Sequence, residues 1–361
     1  MSSSQVDGLV YACERRHVKD LSPEEFERQY IARGIPVILE GLLDQWPCYR
    51  KWTTEYFREN HGDEMADVDM GGHGGVKNWM KLRDYIDSYE QYLEAAAGGA
   101  PVPYLRVWNF LDTLPQLEED VSIEPYFKDY FKKTPGGLAP PFLWLFFGPK
   151  GVRSNLHVDI WFTDAWLCNL EGSKHFWLYH PSHRKYLQSD VDNKWVNHEA
   201  PDREKFPDFD KAIPVEAILK AGEMIYIPRK WPHAAVALDN TVSLTSNFLA
   251  ECNRKNVMQL LVKYMSRRQK CEKILGRALR GGDNLMKFCC HGGRIPIEAA
   301  KAIMGAAFKL LLNKEGEVDL DKSSDEEEEE EMDEAEEGTI GEDSIEEERA
   351  IQEENAAMME E

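Results

Sequence analysis

Between Phe142 and Phe248 the chain is a succession of short segments with alternating apolar residues, broken by turn residues such as Glu171-Gly172, with no helical period between them. Alternation at every second residue marks strands with one covered face. Strands that follow one another without crossover helices do not build a βαβ sheet, so the expected class is mainly β with flanking helices around a double-sheet jelly roll. A charged insertion from His183 to Asp210 breaks the series. Such insertions sit on the rim of a barrel, where they shape specificity.

Inside this region stands His157-Val158-Asp159. On a strand, His157 and Asp159 project to the same side while Val158 packs behind them, which is the spacing that two neighbouring metal ligands need. A third ligand is offered by His233, at the end of Gly222-Glu-Met-Ile-Tyr-Ile-Pro-Arg-Lys-Trp-Pro-His233, whose alternation marks another strand entering the barrel. Two histidines and one carboxylate with open positions form the facial triad of non-haem Fe(II) oxygenases. The pair alone says little, since His-x-Asp recurs by chance and a single histidine is more often a core or surface residue. Its company adds weight. Lys174 follows the Glu171-Gly172 turn on the mostly aromatic and apolar strand Lys174 to Tyr179. A lysine pointing into a barrel is costly unless a carboxylate meets it, a charge-assisted contact worth about 1.5 to 3 kcal/mol. Thr245 and Asn247 share a face of the strand Thr241 to Phe248.

At these residues, from about Ser22 to Phe248, the chain resembles the Jumonji-C family of 2-oxoglutarate-dependent oxygenases, in the hydroxylase-like branch that includes the arginine demethylase and lysyl hydroxylase type. The resemblance rests on His157-x-Asp159, the distal His233 after Gly-Glu-Met-Ile-Tyr-Ile-Pro, Lys174, Thr245 and the Gly148-Pro149 turn. It implies a cupin-like jelly roll (a double-stranded β-helix), with His157, Asp159 and His233 binding Fe(II) and Lys174 holding the distal carboxylate of the cosubstrate 2-oxoglutarate, with O2 as the second cosubstrate. Thr245 and Tyr104, the latter in Pro103-Tyr-Leu-Arg-Val-Trp, are similar to the family's hydrogen-bonding helpers, with Ser154 where relatives often have Thr. Leu167 departs from the pattern, standing where the lysyl hydroxylase branch has an Asn beside the cosubstrate. Asn169, two residues on and on the same face, is the candidate to replace it, and Asn247 completes the expected cosubstrate set.

The net charge of −22 is concentrated at one end. Residues 321–361 hold 21 acidic and 2 basic side chains, leaving 44 acidic against 41 basic in the rest. The body is nearly neutral and has no global basic field for gripping nucleic acid. From about Glu315 the composition is that of a disordered acidic tail, suited to solubility or to attracting a basic protein partner. Seven scattered cysteines without framework spacing suit reduced thiols in an intracellular protein, nuclear or cytoplasmic. Cys271, Cys289, Cys290 and His291 lack the paired knuckle of a zinc site. There is no apolar leader and no run long enough to span a bilayer.

Four regions are expected. Residues 1–100 are a scaffold packing on the barrel, with a capping box at Ser22-Pro23-Glu24-Glu25 opening a helix that stops at Gly34, a strand from Ile35 to Leu39, a Thr53- or Thr54-capped helix through Asn60, and a helix from Lys81 to Ala97. His73, in Met70-Gly-Gly-His-Gly-Gly75, reads as part of a mobile turn more than as a substrate contact. Residues 101–250 are the catalytic core, beginning at the strand Tyr104 to Trp108, and His175, His180, His183 and His198 in it read as solvent-facing. Residues 251–314 carry helices through Val257 to Met265 and Ile297 to Leu312, which either cover the barrel or form a homodimer contact. The basic residues Lys263, Arg267, Arg268 and Lys270 make a poor nuclear signal. Residues 315–361 are the tail. Three functions are compatible with these features: a protein hydroxylase with a basic substrate, lysyl hydroxylation leading; a histone N-methyl demethylase; and a non-catalytic scaffold that binds basic partners through the tail.

Overall fold

The computed structural model describes residues 11–71, 77–123, 125–133 and 142–257. The expectations for His73, the Pro140-Pro141 turn, the two C-terminal helices with their dimer contact, the Lys263 to Lys270 cluster, Cys271 to His291 and the acidic tail lie outside the described residues.

Fourteen strands are described: β1 (Tyr11–Ala12), β2 (Glu14–His17), β3 (Val37–Glu40), β4 (Met65–Asp69), β5 (Lys77–Lys81), β6 (Leu105–Trp108), β7 (Leu143–Gly148), β8 (Arg153–His157), β9 (Asp164–Glu171), β10 (Lys174–Tyr179), β11 (Pro214–Leu219), β12 (Met224–Ile227), β13 (His233–Ala237) and β14 (Thr241–Phe248). They form a five-stranded sheet, β1-β11-β10-β13-β8, a seven-stranded sheet, β2-β3-β12-β9-β14-β7-β6, and the separate β4-β5 pair. The chain between β7 and β14 passes back and forth between the two larger sheets with antiparallel pairing throughout, which is the jelly roll that the short-strand pattern predicts.

The large sheet has an inverted polarity that places the site. On β14 the residues Val242, Leu244 and Phe248, and on β9 Trp166, Cys168 and Leu170, join a core with Phe26, Trp46, Trp52, Phe57 and Tyr85 of the N-terminal region. The opposite faces of these strands carry Thr241, Ser243, Thr245, Asn247 and Asn169, all buried. Side chains alternate strictly along a strand, so packing the apolar face outward on the N-terminal scaffold turns the polar face into the barrel. One part of the barrel interior is still closed by an apolar cluster of Leu167, Ile225, Phe176, Leu178 and Leu219, drawn from both sheets.

The N-terminal helix opens as expected: Ser22 accepts from the Glu25 N–H, the Glu25 carboxylate accepts from the Ser22 N–H, and Pro23 takes the first turn. The helix widens to π geometry over Glu27–Ile31 before Gly34 closes it at φ 68°. Thr53 caps the helix Thr54–Asn60. The single helix predicted from Lys81 to Ala97 is instead two, Leu82–Asp87 and Tyr89–Ala97. The break falls at Ser88, whose hydroxyl donates to the Asp84 carbonyl at 2.7 Å and competes with the helical ladder. The predicted strand from Ile35 begins at Val37, and the one from Tyr104 begins at Leu105.

Candidate metal centre

His233 does not end the strand that begins near Gly222, as its sequence context suggests. β12 stops at Ile227, a turn with Lys230 at φ 63° follows, and His233 opens β13. There it pairs directly with His157, the last residue of β8. Two residues on, Ala235 pairs with Ser154, so β8 carries one extra residue between Ser154 and His157. Paired residues in an antiparallel ladder share a face, and a bulge of this kind turns two side chains three positions apart to the same side. Ser154 and His157 therefore both face inward, an arrangement that plain alternation forbids.

The imidazole ring centroids of His157 and His233 lie 4.3 Å apart. His157 Nδ1 bonds the Asn155 carbonyl at 2.7 Å, and His233 Nδ1 bonds the Trp231 carbonyl at 3.0 Å. A carbonyl only accepts, so each Nδ1 carries the proton and each ring presents Nε2 as its metal-binding nitrogen. Asp159 lies just beyond β8, extended at φ −61° and ψ 157°, and not on the strand with His157. Its Oδ2 is enclosed and makes no hydrogen bond. Burial raises the Asp159 carboxyl above its ordinary value, against the pull of the neighbouring His233 and a hydrogen bond from Asn247. One ligand atom from each of His157, Asp159 and His233 falls within 4.8 Å of the others. Two imidazoles locked in the metal-binding tautomer beside a carboxylate oxygen with no partner fit a divalent cation held on one side only.

Lys174 opens β10 and points inward with 2% of its surface exposed. Its Nζ lies 3.1 Å from the Tyr104 hydroxyl and 5.6 Å from the centre of the Phe146 ring. The carboxylate expected to meet it is not supplied by the described residues, whose ion pairs leave Lys174 out. Burial accordingly pushes its ammonium down to about 7. Tyr104 bonds Ser154, and burial drives its phenol far above the ordinary value. Its backbone pairs with Asp69 in both directions, and the Asp69 carboxylate binds the half-buried Arg106 at 2.9 Å, so the Tyr104 backbone is tied to a neighbouring ion pair. A buried cation beside a phenol that itself bonds the Ser154 hydroxyl fits a carboxylate ligand, which would provide the missing counter-charge.

The remaining expected cosubstrate residues are distributed differently. The Thr245 hydroxyl donates to the Trp166 carbonyl at 2.7 Å, which commits its proton to the neighbouring strand. Asn169, the replacement for the Asn absent at position 167, donates to the Leu219 carbonyl and accepts from Ser243, both at 2.8 Å. Its amide is committed to the scaffold, and Leu167 itself belongs to the apolar cluster. Asn247 lies on the metal side, donating to Thr163 at 3.0 Å and bonding Asp159. Thr163 and Asn253, which brace the Asp159 loop, carry no local sequence signal of that role.

The insertion after β10 folds over the outer face of the small sheet, joining Leu187, Val196 and Phe206 to Leu156, Tyr179 and Ala234. Between it and β8 lies a cavity of about 530 Å3 lined by Ser154, Trp177 and His198 among others, and crossed by the Arg153–Glu199 ion pair. His175 and His198, expected to face solvent, are half-buried instead: their rings lie tilted against Trp177 at centroid distances of 3.9 and 4.8 Å, and His175 bonds Glu216 at 2.8 Å. Burial, then Arg153 and His175, push His198 down to about 4.

Residues 23–254 match the family model described as "Cupin-like domain". Among curated proteins, "Arginine-specific demethylase JMJ22" of Arabidopsis thaliana is 30% identical over 263 residues, covering 68% of this chain and 48% of that protein. "Lysine-specific demethylase 8" of Xenopus tropicalis is 30% identical over 233 residues, covering 62% and 50%. "2-oxoglutarate and iron-dependent oxygenase JMJD4" of Mus musculus is 26% identical over 258 residues, covering 66% and 60%. The chain thus spans about half the length of the first two of these relatives.

Proposed function

The chain belongs to the cupin-like domain family, among its JmjC members, and from that premise we propose that it is an Fe(II)- and 2-oxoglutarate-dependent dioxygenase that hydroxylates a side chain of a protein substrate, a lysine being the leading target. The observation that carries the reading is the pairing, inside one barrel, of a three-ligand cation site with a buried lysine for which the described residues supply no counter-charge. In this reading His157, Asp159 and His233 hold the iron, and Lys174, with Tyr104 and Ser154, takes the distal carboxylate of 2-oxoglutarate. The bound pair supplies the oxidising chemistry: 2-oxoglutarate and O2 become succinate and CO2, and one oxygen atom goes to a C–H bond of the substrate.

The protein's own share is positional. The carbonyls of Asn155 and Trp231 keep both imidazoles in one tautomer. Tyr104 and Phe146 wall the ammonium of Lys174 away from water, so that its attraction for a carboxylate is strong. Three protein ligands, His157, Asp159 and His233, would leave a bound cation's other positions open.

A second reading is favoured by the names of two relatives: attack on an N-methyl carbon, which releases formaldehyde and makes the enzyme a demethylase. Mass spectrometry of a basic peptide after turnover separates the two, as gain of one oxygen atom or loss of one methylene. A scaffold role finds no use for an uncompensated lysine inside the barrel. Among the described residues no helix is long and apolar enough to cross a membrane.

The test needs no substrate. Apoprotein titrated anaerobically with Fe(II) and then 2-oxoglutarate should develop the visible charge-transfer band of the chelate, and His233→Ala should abolish it. Iron binding without the band would refute the cosubstrate half of the proposal.

A further inference from the structure

The loop that follows Asp159 runs through a conformation its residues would not adopt alone. Trp161 and Phe162 stand at φ 54° and 53°, in the left-handed region that side chains disfavour and keep only where their surroundings over-determine them. Trp161 is fixed by packing, its buried ring lying 6.0 Å from that of Phe131 and 5.6 Å from that of Phe142. Phe162 is only half-buried, and its backbone carbonyl accepts from Asn253 Nδ2 at 2.8 Å.

Asn253 comes just after β14 and is 1% exposed. Its amide also faces Asp164 Oδ2 at 3.4 Å, while Asp164 Oδ1 accepts from the Tyr226 hydroxyl at 2.6 Å and the Arg229 N–H at 3.2 Å. On the other side the loop folds back on the metal ligand. The Phe162 N–H donates to the Asp159 carbonyl at 3.2 Å, the Thr163 hydroxyl donates to the Ile160 carbonyl at 2.7 Å, and Asn247 bonds both Thr163 and the Asp159 carboxylate. Phe162 is therefore bound to Asp159 through its N–H and to Asn253 through its carbonyl.

We propose that Asn253 is a positioning residue for the metal centre: by gripping the Phe162 carbonyl it holds the left-handed pair, and through the turn that this pair closes onto Asp159 it aims the carboxylate at the point shared with His157 and His233. The inference rests on the metal reading given above. A purely structural asparagine would affect melting alone, whereas a positioning one sets metal affinity, which responds by ten- to a hundredfold when the groups orienting ligands are removed.

The experiment is an anaerobic Co(II) titration of apoprotein, read by visible absorption, for wild type, Asn253→Ala, Asn253→Ser and Tyr226→Phe, with the melting temperature of each apoprotein. Asn253→Ala should bind Co(II) about tenfold more weakly, with an altered absorption envelope. Asn253→Ser, which keeps a donor on a shorter side chain, should lose less. Tyr226→Phe removes a hydrogen bond from the far side of Asp164 and should lower melting without moving the Co(II) affinity. Wild-type affinity in Asn253→Ala overturns the proposal, as does an equal loss in Tyr226→Phe. Should Asn253→Ala fail to fold, wild-type affinity in Asn253→Ser overturns it as well. Failure of the wild type itself to bind Co(II) would defeat the metal reading and this inference together, whereas tight wild-type binding with unshifted variants defeats this inference alone.

Discussion

An ammonium that is 2% exposed, with one phenol oxygen at 3.1 Å and no ion pair among the described residues, carries a charge the apoprotein would rather not hold. The consequence for pH can be signed. Lys174 titrates near 7 in the fold and near its ordinary value of 10.5 in the unfolded chain, so between these values the unfolded state binds more protons and stability rises with pH, by at most about 1.4 kcal/mol per unit. Urea unfolding of apoprotein between pH 7 and pH 9 should show this rise, and Lys174→Met should flatten it. If Lys174 anchors 2-oxoglutarate as proposed, binding of the cosubstrate has the opposite dependence, because it would need the protonated lysine: its affinity should fall as pH climbs above 7, and Lys174→Ala should raise the cosubstrate requirement steeply. An unchanged affinity in Lys174→Ala would show that the anchor lies elsewhere. At the metal, His157→Ala or Asp159→Ala should abolish turnover while circular dichroism stays that of the wild type.

At the level of elements, the extra residue in β8 decides which side chains meet. Deleting Asn155 should remove the bulge and leave Ser154 and His157 two positions apart, still on one face by plain alternation, but it takes away the carbonyl that fixes the His157 tautomer. The expected result is weaker Fe(II) binding in a protein that still melts cooperatively; retention of wild-type affinity would mean that neither the bulged backbone nor the Asn155 carbonyl is what orients the ligand. This is also where reading the sequence reached its limit. The bounds of β10 and β14 were legible because strict alternation and turn residues mark both ends, and Ser22 announced its helix because a capping box is a local pattern. The bulge has no such signature, because register belongs to two strands at once. Ser88 looked like one more helical residue until its hydroxyl could be seen bonding Asp84. Asn169 was grouped with the cosubstrate by face alone, and the face was right, but its partners Ser243 and Leu219 come from strands 74 and 50 residues away. Thr163 and Asn253 acquire their roles only through tertiary hydrogen bonds.

Across the whole molecule the chain separates charge from fold. The residues outside 321–361 are nearly neutral, whereas that stretch carries 21 acidic side chains against 2 basic ones. The described strands and buried residues all lie before residue 258. Truncation after residue 320 should therefore leave the barrel's melting temperature and the Fe(II)·2-oxoglutarate band unchanged. If the substrate is a basic protein, the same truncation should weaken its capture at low salt, because a concentrated negative field raises the encounter rate with a cationic partner. The difference between full-length and truncated protein should shrink as salt shortens the Debye length from about 30 Å at 0.01 M to about 8 Å at 0.15 M. Measuring KM for a basic peptide at the two ionic strengths separates the contributions. A loss that persists at the higher salt would assign the stretch a specific contact, and no loss at either salt would detach it from substrate capture altogether.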